Sequence, residues 1–171
     1  MGNCVGTKSQ AALQKINFAT VPLFTFAGKI QPVKITDIYD GDTITVGLLL
    51  GDTPYRFKLR LAGIDTPEMK PLLTTPNRDL HIQAAICARQ FLDAQVGGRI
   101  IWVKFEKEEK YGRLMGYLYR SMEDLTEGTT NSINQLMIAR GYALAYNGKK
   151  KSEFTPAMLA KMVGVDKIRT C

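Results

Sequence analysis

Three runs of apolar–polar alternation follow one another between Val33 and Leu61, with only short turns between them. Val33-Lys34-Ile35-Thr36-Asp37-Ile38 repeats with period two, as a strand does when one face is buried and the other wet. Tyr39-Asp40-Gly41-Asp42 then carries an Asp-Gly pair, a hairpin signal because glycine accepts positive φ. Thr43 to Leu50 puts Ile44, Val46, Leu48 and Leu50 on one face. After Gly51-Asp52-Thr53-Pro54, the run Tyr55-Arg56-Phe57-Lys58-Leu59-Arg60-Leu61 is apolar at odd numbers and cationic at even ones. Three such runs joined by turns predict an antiparallel meander. A meander cannot bury its apolar face alone, so later elements must cover or close it.

The rest of the chain supplies them. A loop from Thr66 to Asn77 leads to a helix that Thr75 is placed to cap, with Pro76 at its first position. Leu80, Ala84, Cys87, Ala88, Phe91 and Ala94 form its apolar stripe, and Gly97-Gly98 end it. Two strands follow, Arg99 to Lys107 and Arg113 to Arg120. Asn131 is placed to cap a second helix that buries Ile133, Leu136 and Met137 and stops at Gly141. A third helix after Thr155-Pro156 would bury Leu159, Met162 and Val163. The predicted fold class is α+β: a five-stranded OB-type β-barrel with about three helices, whose open face commonly binds oligonucleotides. Another small α+β barrel would give the same order of elements.

At 171 residues the chain has room for one domain and a short appendage. We divide it into a flexible N-terminal arm, 1–28, and a domain, 29–171, with the core starting near Pro32. Lys and Arg number 23 against 16 Asp and Glu, a net charge of +7, which favours anionic partners. The single histidine, His81, makes a histidine-based metal centre or a Ser-His-Asp triad depend on that one residue. It sits at the edge of the helix stripe and reads as structural, and Cys87 on the stripe reads as a core hydrophobe. Cys4, Cys87 and Cys171 form no CxxC, which predicts a reducing, intracellular and cytoplasmic setting rather than a disulfide scaffold. The most apolar early window, Phe18 to Ala27, is too short to span a membrane and contains a proline.

Acidic residues gather at the ends of the meander: Asp40 and Asp42 in the first turn, Asp65 and Glu68 after the third strand. Hard divalent cations bind carboxylate and carbonyl oxygens, and loops at strand ends offer both. The plain alternative is that Asp40-Gly41-Asp42 is only a turn and Asp65-Thr66-Pro67 only a strand exit. Asp52-Thr53-Pro54 repeats that tripeptide in an ordinary turn, so Arg60, Asp65, Thr66, Pro67 and Glu68 carry weight only together. Arg60 shares a face with Arg56 and Lys58, and the plain reading there is a solvated cationic face. An arginine fork nevertheless suits bidentate phosphate contact, and tyrosine adds a hydrogen bond or a stacking surface. Lys110-Tyr111-Gly112-Arg113 offers both. Lys149-Lys150-Lys151 reads as a solvated patch that strengthens binding without specifying it.

Tyr39-Asp40-Gly41-Asp42-Thr43, Arg60-Leu61-Ala62-Gly63-Ile64-Asp65-Thr66-Pro67-Glu68 and Lys110-Tyr111-Gly112-Arg113 occur in the order seen in staphylococcal nuclease-like enzymes, or thermonucleases. The resemblance covers about Pro32 to Tyr146. It implies an OB-fold barrel with three helices and calcium-dependent cleavage of DNA and RNA, single strands favoured, to products ending in 3′-phosphates. By motif it implies Asp42, Asp65 and the Thr66 carbonyl as Ca2+ ligands and Glu68 as general base or water-orienting group. It implies Arg60 and Arg113 as the arginines on the scissile phosphate, and Lys110 and Tyr111 on a terminal phosphate. The family's tyrosine pair after the second helix is only partly matched: Tyr146 could serve in substrate binding, but Asn147-Gly148 follows. After Lys151 the chain no longer visibly matches.

Met1-Gly2-Asn3-Cys4-Val5-Gly6 offers Gly2 for myristoylation and Cys4 for palmitoylation, although Gly6 stands where the strict pattern wants Ser or Thr. Plant calcium-dependent nucleases of this family resemble it in that start. The expectation is a monomeric nuclease, lipid-anchored at a membrane surface. The rivals are a non-catalytic nucleic-acid or protein-binding OB-fold module, disfavoured by the complete acidic and arginine set, and a charged membrane scaffold.

Overall fold

The alternating runs become β1 (Ile30–Ile38), β2 (Thr43–Leu50) and β3 (Thr53–Leu61), paired antiparallel in that order. The structure is a computed structural model that describes residues 5–107, 113–149 and 153–167. After β3 come a two-residue strand β4 (Ile64–Asp65), helix α2 (Arg78–Val96), β5 (Ile100–Phe105) and β6 (Leu114–Tyr119). Helices α3 (Met122–Thr126) and α4 (Ile133–Ala139), strand β7 (Leu144–Ala145) and α5 (Pro156–Lys167) complete the C-terminal half. The five long strands close into a barrel in the order β1-β2-β3-β6-β5, the OB-type barrel expected. β3 and β6 run parallel, and that pairing closes it.

The alternation predicts the interior well. Val33, Ile35, Ile44, Val46, Leu48, Leu59, Leu61, Ile101, Val103 and Leu118 point inward and are buried, with Leu50 packed against their edge. α2 buries Ala84, Ala85, Cys87, Ala88, Phe91, Leu92 and Val96, and the Phe91 ring stacks on Tyr142 at 4.4 Å. α5 packs on α2 through Leu159 and Met162.

Several expectations need correction. Thr75 does not cap α2: its N–H donates back to Leu72, closing a turn that keeps Thr75 and Pro76 outside the helix, and Asn77 takes the cap position at φ 53°. Ala94 is exposed, whereas Leu92 and Val96 are buried, because α2 meets α4 and α5 as well as the barrel and so buries a wider face than one stripe. Ser132 rather than Asn131 caps α4; Asn131 ends a 3-10 turn, and the Ser132 hydroxyl accepts from the Gln135 N–H at 3.2 Å. Among the described residues there are five α-helices, since α1 (Val5–Gln14) and α3 were not expected. Residues 5–14 are thus helical within the segment read as an arm, and its end joins the core: Phe26 is buried against Phe57 and Phe105 at 5.5 and 5.0 Å. No helix among the described residues is long and apolar enough to cross a membrane.

Candidate active site

Three strand pairings converge on one end of the barrel. The β2–β3 register sets Thr43 opposite Arg60, and the Leu61 N–H donates to the Asp42 carbonyl at 2.7 Å, so the Asp42 side chain stands beside the Arg60 guanidinium. The parallel β3–β6 register sets Leu59 opposite Leu114, which brings Arg113, one residue earlier, to the same end. β4 pairs with β7, Ile64 opposite Ala145, and the Tyr146 N–H donates to Gly63 at 2.9 Å. Tyr146 thereby reaches the guanidinium, whose carbon lies 5.8 Å from the centre of its ring.

At the focus Arg60 is only 8% exposed, so it does not belong to the solvated face that Arg56 and Lys58 keep. Its Nη1 donates to Asp42 Oδ1 at 2.7 Å, and its Nη2 donates to Asp65 Oδ1 at 3.1 Å and to the Ile64 carbonyl at 3.3 Å. The Thr43 hydroxyl donates to the same Asp42 oxygen at 2.9 Å, and the Asp42 N–H donates to Asp40 Oδ1 at 3.1 Å. Asp40, Asp42, Asp65 and Thr66 are all buried. Asp40-Gly41-Asp42 is therefore more than a hairpin tip. Gly41 is also needed for a different reason than expected: its φ is not positive, but a Cβ there would lie 2.8 Å from Thr66 and 2.9 Å from Ala88. The turn is pressed against the loop that carries Thr66.

The electrostatics are unbalanced. Burial pushes the Asp42 carboxyl up to about 7, the Arg60 charge pulling it back while Asp40 and Asp65 raise it further. Burial also raises Asp40, with the Glu68 charge adding to it against hydrogen bonds from the Asp42 and Thr43 N–H groups. Desolvated carboxylates that outnumber their cation favour a further positive charge. Their donors are hard oxygens, as calcium requires, and the buried Thr66 follows Asp65 directly. Among the described residues no three acidic, His or Cys side chains are arranged to hold a metal by themselves. The oxygens here that could hold a cation are those of Asp42, Asp65 and the Thr66 carbonyl.

A cleft of about 550 Å³ opens over this focus, lined by Asp40, Asp42, Arg60, Glu68, Arg113 and Tyr146 together with Tyr39 and Lys58. Asp65 and Thr66 face a neighbouring cleft of about 730 Å³, and Glu68 lines both. The fold thus gathers Asp42, Arg60, Asp65, Thr66, Glu68, Arg113 and Tyr146. Lys110, Tyr111, Gly2 and Cys4 lie outside the described residues. His81 meets the Phe154 ring edge-on, with centres 6.4 Å apart, and lines the same neighbouring cleft as Asp65 and Glu68. Asn134 was missed by the sequence reading. It is fully buried, accepts from the Leu118 N–H at 3.0 Å and donates to the Ala62 carbonyl at 2.8 Å, so it pins the chain just before Asp65. A polar residue between Ile133 and Met137 was the available signal.

Comparison with known proteins gives a family. The family described as "Staphylococcal nuclease homologue" matches residues 58–163. That stretch holds Arg60, Asp65, Thr66, Glu68, Arg113 and Tyr146 and runs past Lys151 into α5, beyond where the resemblance was expected to stop. Asp42 precedes it and is joined to it by its bond to Arg60. An uncharacterized protein of Methanocaldococcus jannaschii is 26% identical over 71% of this chain and 63% of its own length. Uncharacterized endonucleases of Escherichia coli and of its O157:H7 strain are 25% identical over 73% of this chain and 67% of their own length. The match to the archaeal relative thus spans less than two thirds of that protein.

Proposed function

We infer that this chain, which belongs to the staphylococcal nuclease homologue family, is a calcium-dependent nuclease that hydrolyses phosphodiester bonds of DNA and RNA to 3′-phosphate products. The observation that carries the reading is the Arg60 fork, which ties Asp42 and Asp65 together in one buried cluster beneath a cleft that also holds Glu68 and Arg113. A merely structural ion pair would not need two exposed-to-half-buried charged groups arrayed over it. Asp42, Asp65 and the Thr66 carbonyl are the groups that would hold calcium, which when bound supplies positive charge beside the phosphate. Glu68 is exposed at the junction of the two clefts and is the base that takes a proton from the attacking water. The water oxygen bonds to phosphorus, the bond from phosphorus to the 5′-oxygen breaks, and solvent protonates the departing oxygen. Arg60 and Arg113 oppose the negative charge that gathers on the phosphoryl oxygens in between. Lys110, Tyr111 and Tyr146 complete substrate binding in this reading.

The deciding experiment is degradation of plasmid DNA, single-stranded DNA and RNA with calcium, and again with a chelator. Chelator-sensitive cleavage is expected. Binding of nucleic acid without cleavage in any calcium concentration would replace the enzyme by the binding-module reading.

We also propose a two-signal membrane anchor, because one myristoyl chain on Gly2 holds a membrane only marginally and needs Cys4 acylation or basic residues such as Lys8 and Lys15. No acidic residue precedes Asp37, which suits an anionic surface. An unmodified N-terminal peptide, seen by mass spectrometry of the protein from its native host, would end this proposal.

A further inference from the structure

Tyr39 lies in the same cleft as Asp42, Arg60, Glu68 and Arg113 without a part in the chemistry assigned to them, and it is 51% exposed. Its backbone is fixed: the Tyr39 N–H donates to the Thr43 carbonyl at 3.0 Å across the base of the turn that holds Asp40 and Asp42. The other tyrosine of the cleft, Tyr146, is half-buried, with its ring near the Arg60 guanidinium. Charge sorts what each part of the cleft can bind. Phosphate suits Arg60, Arg113 and Lys58. Asp37 and Asp40, on either side of Tyr39 in the chain and lining the same cleft, repel it. An uncharged planar group has no such conflict, and every nucleobase offers a π-face to an exposed aromatic ring.

We propose that Tyr39 is the stacking platform for the base of a nucleotide adjoining the scissile phosphate, and that it thereby selects unpaired nucleic acid. Inside a duplex both faces of a base are covered by its neighbours, so only a splayed base can lie on the ring. The proposal rests on the nuclease reading, and its test separates the two.

The test measures fluorescence anisotropy of a labelled short oligothymidylate in the Glu68→Gln background, with calcium, so that the probe survives. Tyr39→Ala should weaken binding about 5- to 100-fold. The salt dependence should be unchanged, because no phosphate contact is lost; Lys58→Ala should instead reduce the salt slope by roughly 0.7. Tyr39→Phe and Tyr39→Trp should retain affinity, and a duplex competitor should be indifferent to all three. The exposed ring can be removed without touching the core, and an unchanged melting temperature checks this. Affinity unchanged in Tyr39→Ala, or a Phe variant as weak as the Ala variant, overturns the stacking role while leaving the nuclease reading intact. If the parent Glu68→Gln protein binds no oligonucleotide and the unsubstituted chain cleaves none, the nuclease reading fails and takes this inference with it.

Discussion

Arg60 is buried and Glu68 exposed, so these two charged residues of one cleft should respond differently to substitution. Arg60 is buried between two carboxylates, so Arg60→Ala strands buried negative charge as well as removing the phosphate contact proposed for it. Loss of one partner from a buried ion pair costs about 3–5 kcal/mol. The expected outcome is a large fall in stability at pH 8, smaller at pH 5 where the carboxylates can take protons, together with slow turnover. Equal destabilisation at both pH values, read by denaturant titration, would contradict the counter-ion account. Glu68 is exposed, and Glu68→Gln should leave the melting temperature unchanged while lowering kcat about 10²- to 10⁴-fold. Calcium affinity should fall less than in Asp42→Ala. Asp52→Asn, in the exposed turn between β2 and β3, is the control that should keep wild-type activity; wild-type activity in Glu68→Gln sinks its role as base.

At the scale of elements, the site depends on where strands end. The corner between β3 and β4 turns through Gly63 at φ +75° and is held by Asn134, which bonds Ala62 and Leu118 at once. Asn134→Ala leaves a buried Leu118 N–H and a buried Ala62 carbonyl without that partner, at about 1–3 kcal/mol for an unsatisfied group. Because Asp65 follows the corner directly, calcium affinity measured by calorimetry should fall along with stability. A variant that loses stability but keeps its calcium affinity would show that β4–β7 pairing alone positions Asp65. The pairing of Leu59 with Leu114 acts similarly on Arg113, since one residue of slippage would turn every side chain of β6 to the opposite face.

For the whole molecule, charge is expected to govern both binding and stability. With a net charge of +7, affinity for single-stranded nucleic acid should drop steeply with salt, by a log–log slope of about −0.7 per phosphate neutralised. An affinity equal at low and moderate salt would refute an electrostatic contribution. The metal-free protein should also respond to pH in an uncommon direction. Asp42 has its carboxyl pushed from 3.8 to about 7 by burial, so through that window the native state holds more protons than the unfolded chain. Stability of the calcium-free protein must then fall as pH rises through it, and Asp40, raised too, adds to the fall. Melting should be higher at pH 5 than at pH 7 without calcium. Asp42→Asn should flatten that difference, and calcium should raise the melting temperature at pH 7 by binding the native state. Melting curves in which stability rises across this range would show the burial effect to be outweighed.

The sequence by itself determined the three strands of the meander, because period-two alternation has only one way to bury Val33, Ile44, Val46, Leu59 and Leu61 together; the two-residue strands β4 and β7, too short to show a period, came only from the tertiary structure. It also determined the candidate chemistry, since Arg60, Asp65, Thr66 and Glu68 lie within nine residues and the turn at Asp40–Asp42 precedes them by one hairpin. It misplaced helix caps at Thr75 and Asn131, where neighbouring Ser, Thr, Asn and Pro offer several starts and a single hydrogen bond chooses among them. Only the tertiary structure decided that Arg60 leaves the cationic face of β3 and becomes buried, for nothing in an alternating run tells one even-numbered cation from another. The reason is long-range: Asp42 arrives through β2, Tyr146 through β7 and Arg113 through β6, and their shared desolvation turns a surface arginine into the centre of the site.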